Sequence, residues 1–267
     1  MKIDHRGIEL NVQDIGTGNT ALVFLHHWGG SSRTWGAVIE QLSPRYRCIA
    51  IDARGAGGSD APASGYGTAD HAGDARAVIQ ALGLSRYLLV GHSMGGKASQ
   101  LLASQRPTGL AGVALVASSP PSPMAIDEAQ RVQMKKAYAS REAVEWTLDH
   151  VLLGSPVAPD VREMLIDDAL RLSAPATSGW LDIGSREDFG AEVATVDVPV
   201  LILAGELDRV DPPEVARQHI VPRHPAAALH FLPGKGHLLP VEAPAEVAER
   251  IDDFAQTLDA ARAATRG

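Results

Sequence analysis

Thiol chemistry has almost no foothold in this chain of 267 residues, because Cys48 is its only cysteine. No internal disulfide can form, and no cysteine cluster is present to hold a structural metal. Cys48 lies in Arg47-Cys48-Ile49-Ala50-Ile51, a strand-like run where a buried, inert thiol is expected. Basic runs are also missing. Lysine plus arginine number 24 against 32 aspartates and glutamates, a net charge of −8. No stretch interleaves aromatic with basic residues, so nucleic acid is not an expected partner. No apolar stretch approaches the ~20 residues that span a bilayer, so no membrane partner is expected either. Met1-Lys2-Ile3-Asp4-His5-Arg6 lacks the apolar core of a signal segment. The expectation is a cytoplasmic protein. There is no internal repeat and no low-complexity linker. At 45% hydrophobic content, the chain suits one α/β domain with a large core and room for an inserted subdomain.

What the chain does have is organised around Gly91-His92-Ser93-Met94-Gly95-Gly96. Tyr87-Leu88-Leu89-Val90 before it reads as a buried strand, and Lys97 to Gln105 after it reads as a helix. A Gly-x-Ser-x-Gly between strand and helix is a nucleophile elbow: the serine sits on a sharp, strained turn, its hydroxyl raised above the sheet. Gly91 and Gly95 let neighbouring backbone come close. The helix that starts at Ser93 aims its first N–H groups at charge developing beside the serine.

The rest follows in order. Ile8 to Gln13 alternates as a half-exposed strand. Ala21–Leu25, Arg47–Ile51, Leu110–Val116, Val200–Ala204 and Ala228–Leu232 are apolar runs of the kind that a parallel sheet buries on both faces. Ser31 or Ser32 is the expected N-cap of a helix carrying Trp35, Val38, Ile39 and Leu42. Thr68 to Leu82 is a helix closed by Gly83. Strand, helix, strand, helix, strand predicts a parallel sheet with helices on both faces. From Ser119 to Val196 the pattern changes, with helices expected at Asp127–Ala139, Glu142–Leu152, Asp160–Leu172 and Ala176–Ile183 and no strand. This segment, 119–196, is expected to be a helical cap on a core formed by 1–118 and 197–267. After Val200–Ala204 a helix is expected near Glu214–His219. Glu246–Leu258 is the last helix expected, and Ala260–Gly267 a frayed tail.

A nucleophilic serine needs a base, and the base an orienting acid. Gly205-Glu206-Leu207-Asp208 follows one strand and Gly234-Lys235-Gly236-His237 follows the next. Ser93, Asp208 and His237 all fall at C-terminal ends of strands, where open parallel sheets place their ligands. Asp211 competes for the acid role. The Gly-x-x-Asp spacing favours Asp208, and Asp211 before Pro212-Pro213 reads as a helix start. Glu206 reads as a solvated turn residue, His92 as packing of the elbow, and Lys97 as a helix-surface residue. His26 and His27 are adjacent and lack a carboxylate cluster, so no metal site is expected. Met124, Met134, Trp146, Met164 and Trp180 either line a pocket or pack the cap's own interior.

With these motifs in that order, the chain resembles the α/β-hydrolase superfamily over nearly its whole length apart from the cap. Leu25-His26-His27-Trp28-Gly29-Gly30 and Asp52-Ala53-Arg54-Gly55-Ala56-Gly57-Gly58-Ser59 add to the match. Within the superfamily it is most similar to small bacterial esterases, lactonases and perhydrolases with a helical cap. The resemblance implies an α/β-hydrolase fold: an eight-stranded, mostly parallel sheet, the second strand antiparallel, and no cofactor. It implies Ser93 as nucleophile, His237 as base, Asp208 as acid, and an oxyanion hole from the backbone N–H groups of Trp28 and Met94. Two departures stand out. His27 occupies a position where the family usually has glycine, and Ala56 one where it usually has histidine. The expected activity is hydrolysis of small or medium acyl esters, with Trp28, His27, Trp146 and Trp180 contacting a small-molecule ester or lactone. The same triad serves lactonases and C–C bond hydrolases, and some proteins of this fold act mainly as receptors. Haloalkane dehalogenase and the usual epoxide hydrolase chemistry need a carboxylate where Ser93 stands.

Overall fold

The computed structural model describes residues 1–266. Eight strands form one sheet: β1 (Lys2–His5), β2 (Ile8–Ile15), β3 (Ala21–Leu25), β4 (Arg47–Ile51), β5 (Tyr87–His92), β6 (Leu110–Val116), β7 (Val200–Gly205) and β8 (Ala228–Leu232). Their spatial order is β1-β2-β4-β3-β5-β6-β7-β8. β2 runs antiparallel to both of its neighbours, and all pairings from β4 onward are parallel. β1 has no counterpart in the apolar pattern of the sequence, since only Ile3 of its four residues is buried. A two-residue turn makes it. Arg6 (φ 58°) and Gly7 (φ 80°) are both left-handed, the conformation whose twist matches a tight hairpin.

The continuous apolar runs are buried because both faces of the sheet are covered. On β3, Ala21, Val23 and Leu25 face one core, while Leu22 and Phe24 face the other. The helices α1 (Gly36–Leu42), α2 (Thr68–Ala81) and α3 (Met94–Ser104) connect the first strands. Ser31 caps the short turn that leads into α1, its hydroxyl accepting the Arg33 N–H at 3.1 Å. Cys48 is fully buried, and burial pushes its thiol up to about 12, so it is inert.

Between β6 and β7 the described residues contain helices and no strand: α4 (Glu128–Met134), α5 (Arg141–Thr147), α6 (Pro159–Arg171), α7 (Ala174–Asp182) and α8 (Gly190–Val193). Val144, Leu148, Leu165 and Ile166 form a small core in this segment, closed from beneath by Leu238. After β7 come α9 (Pro213–Val215), then α10 (Leu239–Glu242) and α11 (Pro244–Arg266). Two local expectations fail. The stretch from Ala260 is not a frayed tail but the continuation of α11 through Arg266, while Gly267 lies outside the described residues. Lys97 is not on a helix surface. It is fully buried in α3, because α3 is enclosed by the sheet and the interstrand helices. Its ammonium donates to the carbonyls of Ser122 (3.1 Å) and Glu187 (2.8 Å).

Candidate active site

Ser93 stands between β5 and α3 with φ 53° and ψ −116°, a conformation that costs a non-glycine residue on the order of 1–3 kcal/mol and persists only where its surroundings enforce it. They do so here by close backbone packing. A Cβ on Gly95 would sit 2.4 Å from the Leu25 carbonyl oxygen, and one on Gly91 would sit 2.5 Å from that of Gly95. The Ser93 N–H is also tied to the Val116 carbonyl at 3.2 Å. The first helical residue is Met94, one later than expected, so Ser93 is the N-cap.

The turn after β7 brings Asp208 to His237. His237 Nδ1 lies 2.8 Å from Asp208 Oδ2. The other carboxylate oxygen, Oδ1, accepts the backbone N–H groups of Val210 (2.8 Å) and Asp211 (3.0 Å), which fixes its rotamer. His237 is held by its backbone: its N–H donates to the Leu152 carbonyl, and its carbonyl accepts His92 Nε2, both at 2.8 Å. With Nδ1–H donating to the carboxylate, Nε2 is the ring atom left to accept a proton. Burial is the largest influence and disfavours the imidazolium, but Asp208 beside it, together with Asp211 and Glu242 nearby, raises His237 above its ordinary 6.5. Asp211 is not the partner of His237, and it lies just before α9, whose N-cap is Pro212. It is buried, and its carboxylate accepts the Ser119 hydroxyl at 3.0 Å.

The loop after β3 supplies two amides. His26 organises it. Its Nδ1 donates to the His27 carbonyl at 2.7 Å, so its Nε2, accepting the Ala53 N–H at 2.9 Å, is unprotonated. Burial keeps this ring neutral by lowering it below its ordinary value. His27 fits where the family usually has glycine because it packs against His92, ring centres 4.8 Å apart, and because Gly30 leaves it space. Burial also holds His27 well below its ordinary value. Neither the Trp28 N–H nor the Met94 N–H is engaged in the hydrogen bonds of the described residues.

Ser93, His237, His27 and Trp28 line one cavity of about 350 Å³. The segment between β6 and β7 covers it with Met124, Met134, Trp146, Trp180 and Tyr138. The two tryptophans differ. Trp180 is 3% exposed and packs with Trp28, Met94 and Leu181, whereas Trp146 is 58% exposed at the cavity's edge, stacked on His150. Met164 lies apart from the cavity, packed on the segment's own core. Tyr138 was not foreseen. Its ring packs tilted against Trp28, centres 4.5 Å apart, and its hydroxyl donates to the Trp28 carbonyl at 3.2 Å. Its only sequence signal is an aromatic in a stretch expected to be helical. α4 ends at Met134, and the chain turns so that Tyr138 reaches down to the loop. Among the described residues no group of three or more histidine, cysteine, aspartate or glutamate side chains could hold a metal ion. None of their helices is long and apolar enough to cross a membrane.

Residues 20–147 match the family model for the alpha/beta hydrolase fold. The chain is 31% identical to the AB hydrolase superfamily protein YisY of Bacillus subtilis (strain 168), over 79% of this chain and 82% of that one. It is also 31% identical to a pimeloyl-[acyl-carrier protein] methyl ester esterase of Pectobacterium carotovorum, over 76% and 82%. Among solved structures, the esterase RhEst1 from Rhodococcus sp. ECU1013 superposes with a TM-score of 0.83 at 27% identity, covering 96% of this chain and 98% of that one. Sheet order, elbow and sequence kinship agree, and the chain belongs to the α/β-hydrolase family.

Proposed function

We propose that this protein is a serine hydrolase that cleaves carboxylic esters of small or medium acyl groups through an acyl-enzyme. The observation that carries the proposal is the Asp208–His237 contact of 2.8 Å, with His237 and the strained Ser93 both lining one apolar cavity. In this reading Ser93 Oγ attacks the ester carbonyl and His237 Nε2 takes its proton. Asp208 holds the ring in the required tautomer and stabilises the imidazolium. The imidazolium then gives its proton to the departing alcohol. The Trp28 and Met94 N–H groups stabilise the tetrahedral oxyanion, a contribution of about 3 kcal/mol per donor in a well-studied hydrolase. Water repeats the attack on the acyl-enzyme with His237 again as base. The segment 119–196 acts as a cap whose Met124, Met134 and Trp180, with Trp28 from the core, receive the acyl chain. His27 and Trp146 border that pocket. Each methylene buried there adds ~0.8 kcal/mol until the wall is met.

The relative named as a methyl ester esterase supports an ester substrate. Lactones and diketones would use the same residues, so the test is a panel. A fluorophosphonate is expected to label Ser93 stoichiometrically, and p-nitrophenyl esters are expected to give a short-chain optimum followed by a steep fall. Labelling at another residue would overturn the nucleophile. Equal rates on acetate and palmitate would overturn the enclosed acyl pocket. Labelling of Ser93 with no ester turnover, and turnover on lactones or diketones, would move the substrate class.

A further inference from the structure

Two buried polar residues beside Ser93 have no part in the mechanism above. Ser119 lies just past β6 and is fully buried. The chain reaches it through Ala117, which is left-handed at φ 41°. Its backbone is then fixed on three sides. The Ser119 N–H donates to the Ser93 carbonyl at 3.2 Å, and its own carbonyl accepts Gln100 Nε2 (3.1 Å) and Ser118 Oγ (3.0 Å). So pinned, Ser119 Oγ stands 3.5 Å from Ser93 Oγ and 3.0 Å from Asp211 Oδ2. The first separation is at the outer limit of a hydrogen bond, and a small side-chain rotation closes it. Among the described residues Ser119 is the hydrogen-bond neighbour the Ser93 hydroxyl has.

A hydroxyl carries one proton, so a chain of two hydroxyls has a direction. With Asp211 ionised, its carboxylate can only accept. Ser119 gives its proton to Asp211, and Ser119 Oγ can then only accept from Ser93. The Ser93 proton points away from His237. With Asp211 protonated, the carboxyl donates to Ser119, Ser119 donates to Ser93, and the Ser93 proton is free to face His237 Nε2. We propose that Asp211 and Ser119 are positioning residues that set which way the Ser93 proton points, so that the nucleophile is competent when Asp211 holds its proton. The proposal rests on the serine-hydrolase reading.

Charge around Asp211 is compatible with such a role. Burial is the largest influence and lifts its carboxyl to about 7. His237 opposes this lift, Asp208 adds to it, and the Ser119 hydrogen bond and the Lys97 ammonium from α3 oppose it. Lys97 is itself lowered to about 8, by burial against the pull of Glu187, Asp211 and Asp188. Asp211 and His237 therefore titrate as a pair, and the reactivity of Ser93 is expected to follow a bell rather than a single rise. The acid limb is protonation of His237, and the alkaline limb is loss of the proton from Asp211.

The test is the rate of fluorophosphonate labelling of Ser93 between pH 5 and 9, which needs no knowledge of the substrate, with folding checked by circular dichroism. In the natural protein the rate is expected to fall at least ~5-fold from its maximum to pH 9. Asp211→Asn keeps a donor towards Ser119 and cannot ionise, so its alkaline limb is expected to disappear. Its acid limb is expected to remain, because protonation of His237 does not need an ionisable group at position 211. Ser119→Ala cuts the chain and is expected to lose the alkaline limb as well, and Asp211→Glu to restore it. A structural role alone would change the rate without changing the limbs. An alkaline limb that persists in both Asp211→Asn and Ser119→Ala belongs to Lys97 or another group and overturns the inference while the hydrolase reading stands. Absence of labelling at every pH overturns both.

Discussion

The cavity has a floor and a ceiling built on different principles. The floor is polar and comes from strand ends, Ser93 after β5 and His237 after β8, backed by Asp208 after β7 and by the loop and elbow amides of Trp28 and Met94. Every one of these groups is fixed by backbone. Asp208 takes two amide N–H groups, His237 is hydrogen-bonded through both its N–H and its carbonyl, and Ser93 sits where an added Cβ on either flanking glycine would strike a carbonyl. The ceiling is apolar and comes from the segment between β6 and β7, whose helices pack mainly on one another and on Leu238, with Trp146 largely exposed at its edge. Positions in the floor are set by hydrogen bonds to the sheet, where a shift of an ångström matters. Positions in the ceiling are set by packing, which can exchange one volume for another. Substitutions in the floor should therefore remove rate with little loss of fold. Substitutions in the ceiling should alter stability or chain-length preference and leave the chemistry in place.

The sharpest break of this contrast is Ser93→Ala. Ester turnover is expected to fall by about 10⁶, leaving a ~10³-fold residual over water from binding and the oxyanion hole. Its melting temperature should hold or rise, because alanine loses no packing. Retained turnover would place the nucleophile elsewhere. Asp208→Asn comes next, with an expected loss on the order of 10⁴ in kcat, since the amide favours the wrong imidazole tautomer. Asp211→Asn, measured beside it at pH 7, should be far milder. If the two effects are reversed, Asp211 is the acid.

The ceiling's largest response should be in stability. Trp180→Ala removes a buried indole that packs with Trp28, Met94 and Leu181, and a cost of about 3–5 kcal/mol is expected from denaturant unfolding. The longest accepted ester should lengthen at the same time, since the same ring lines the cavity. A smaller effect tests the buried carboxylate. Asp211 is raised to about 7 in the folded protein by burial, against an ordinary carboxylate value near 4 when unfolded. Between those values the folded state holds a proton that the unfolded chain has lost. Its contribution to stability therefore falls as pH rises through that window, and the cost is complete above it. Asp211→Asn is expected to be more stable than the natural protein at pH 8, by on the order of a few kcal/mol, and to match it at pH 4. Equal melting temperatures at both pH values would mean that Asp211 is ionised without penalty.

The floor was legible in the sequence and the ceiling was legible only as a composition. Strand-end motifs carry their own geometry: a Gly-x-Ser-x-Gly between an apolar run and a helix leaves the serine one place to stand, and Asp208 and His237 follow strands that neighbour each other in the sheet. β1 escaped because a hairpin turn rather than an apolar pattern creates it. Lys97 misled because the carbonyls that receive it, those of Ser122 and Glu187, lie 25 and 90 residues further along the chain and leave no local sign. Asp211 misled for a related reason. Its Pro-Pro does signal a helix, α9 from Pro213, but gives no sign of burial or of Ser119, which binds it and is supplied by a different strand end. Nor could helical periodicity alone sort the aromatics above the site. Trp146, Trp180 and Tyr138 share a composition but differ in whether tertiary packing leaves them at an edge, in a core, or folded down onto the Trp28 loop.

The smallest expected effect is the most informative about the ceiling. Trp146 is 58% exposed, its ring lies on His150 with centres 4.8 Å apart, and it borders the cavity that Ser93 lines. Its packing is with a neighbour one helical turn away, so truncation costs little of the fold. Trp146→Ala is expected to change unfolding free energy by under about 0.5 kcal/mol, as for other exposed positions. Yet the ring narrows the way in. Its removal should shift the optimum of the p-nitrophenyl ester series towards longer chains, with kcat/KM rising for those chains through KM and kcat on the shortest ester nearly constant. That pattern separates a residue that bounds the pocket from one that only covers the helix. A loss of kcat on every ester would mean instead that Trp146 bears on the placement of the floor through the ceiling, and the division between a hydrogen-bonded floor and a packed ceiling would fail at its edge.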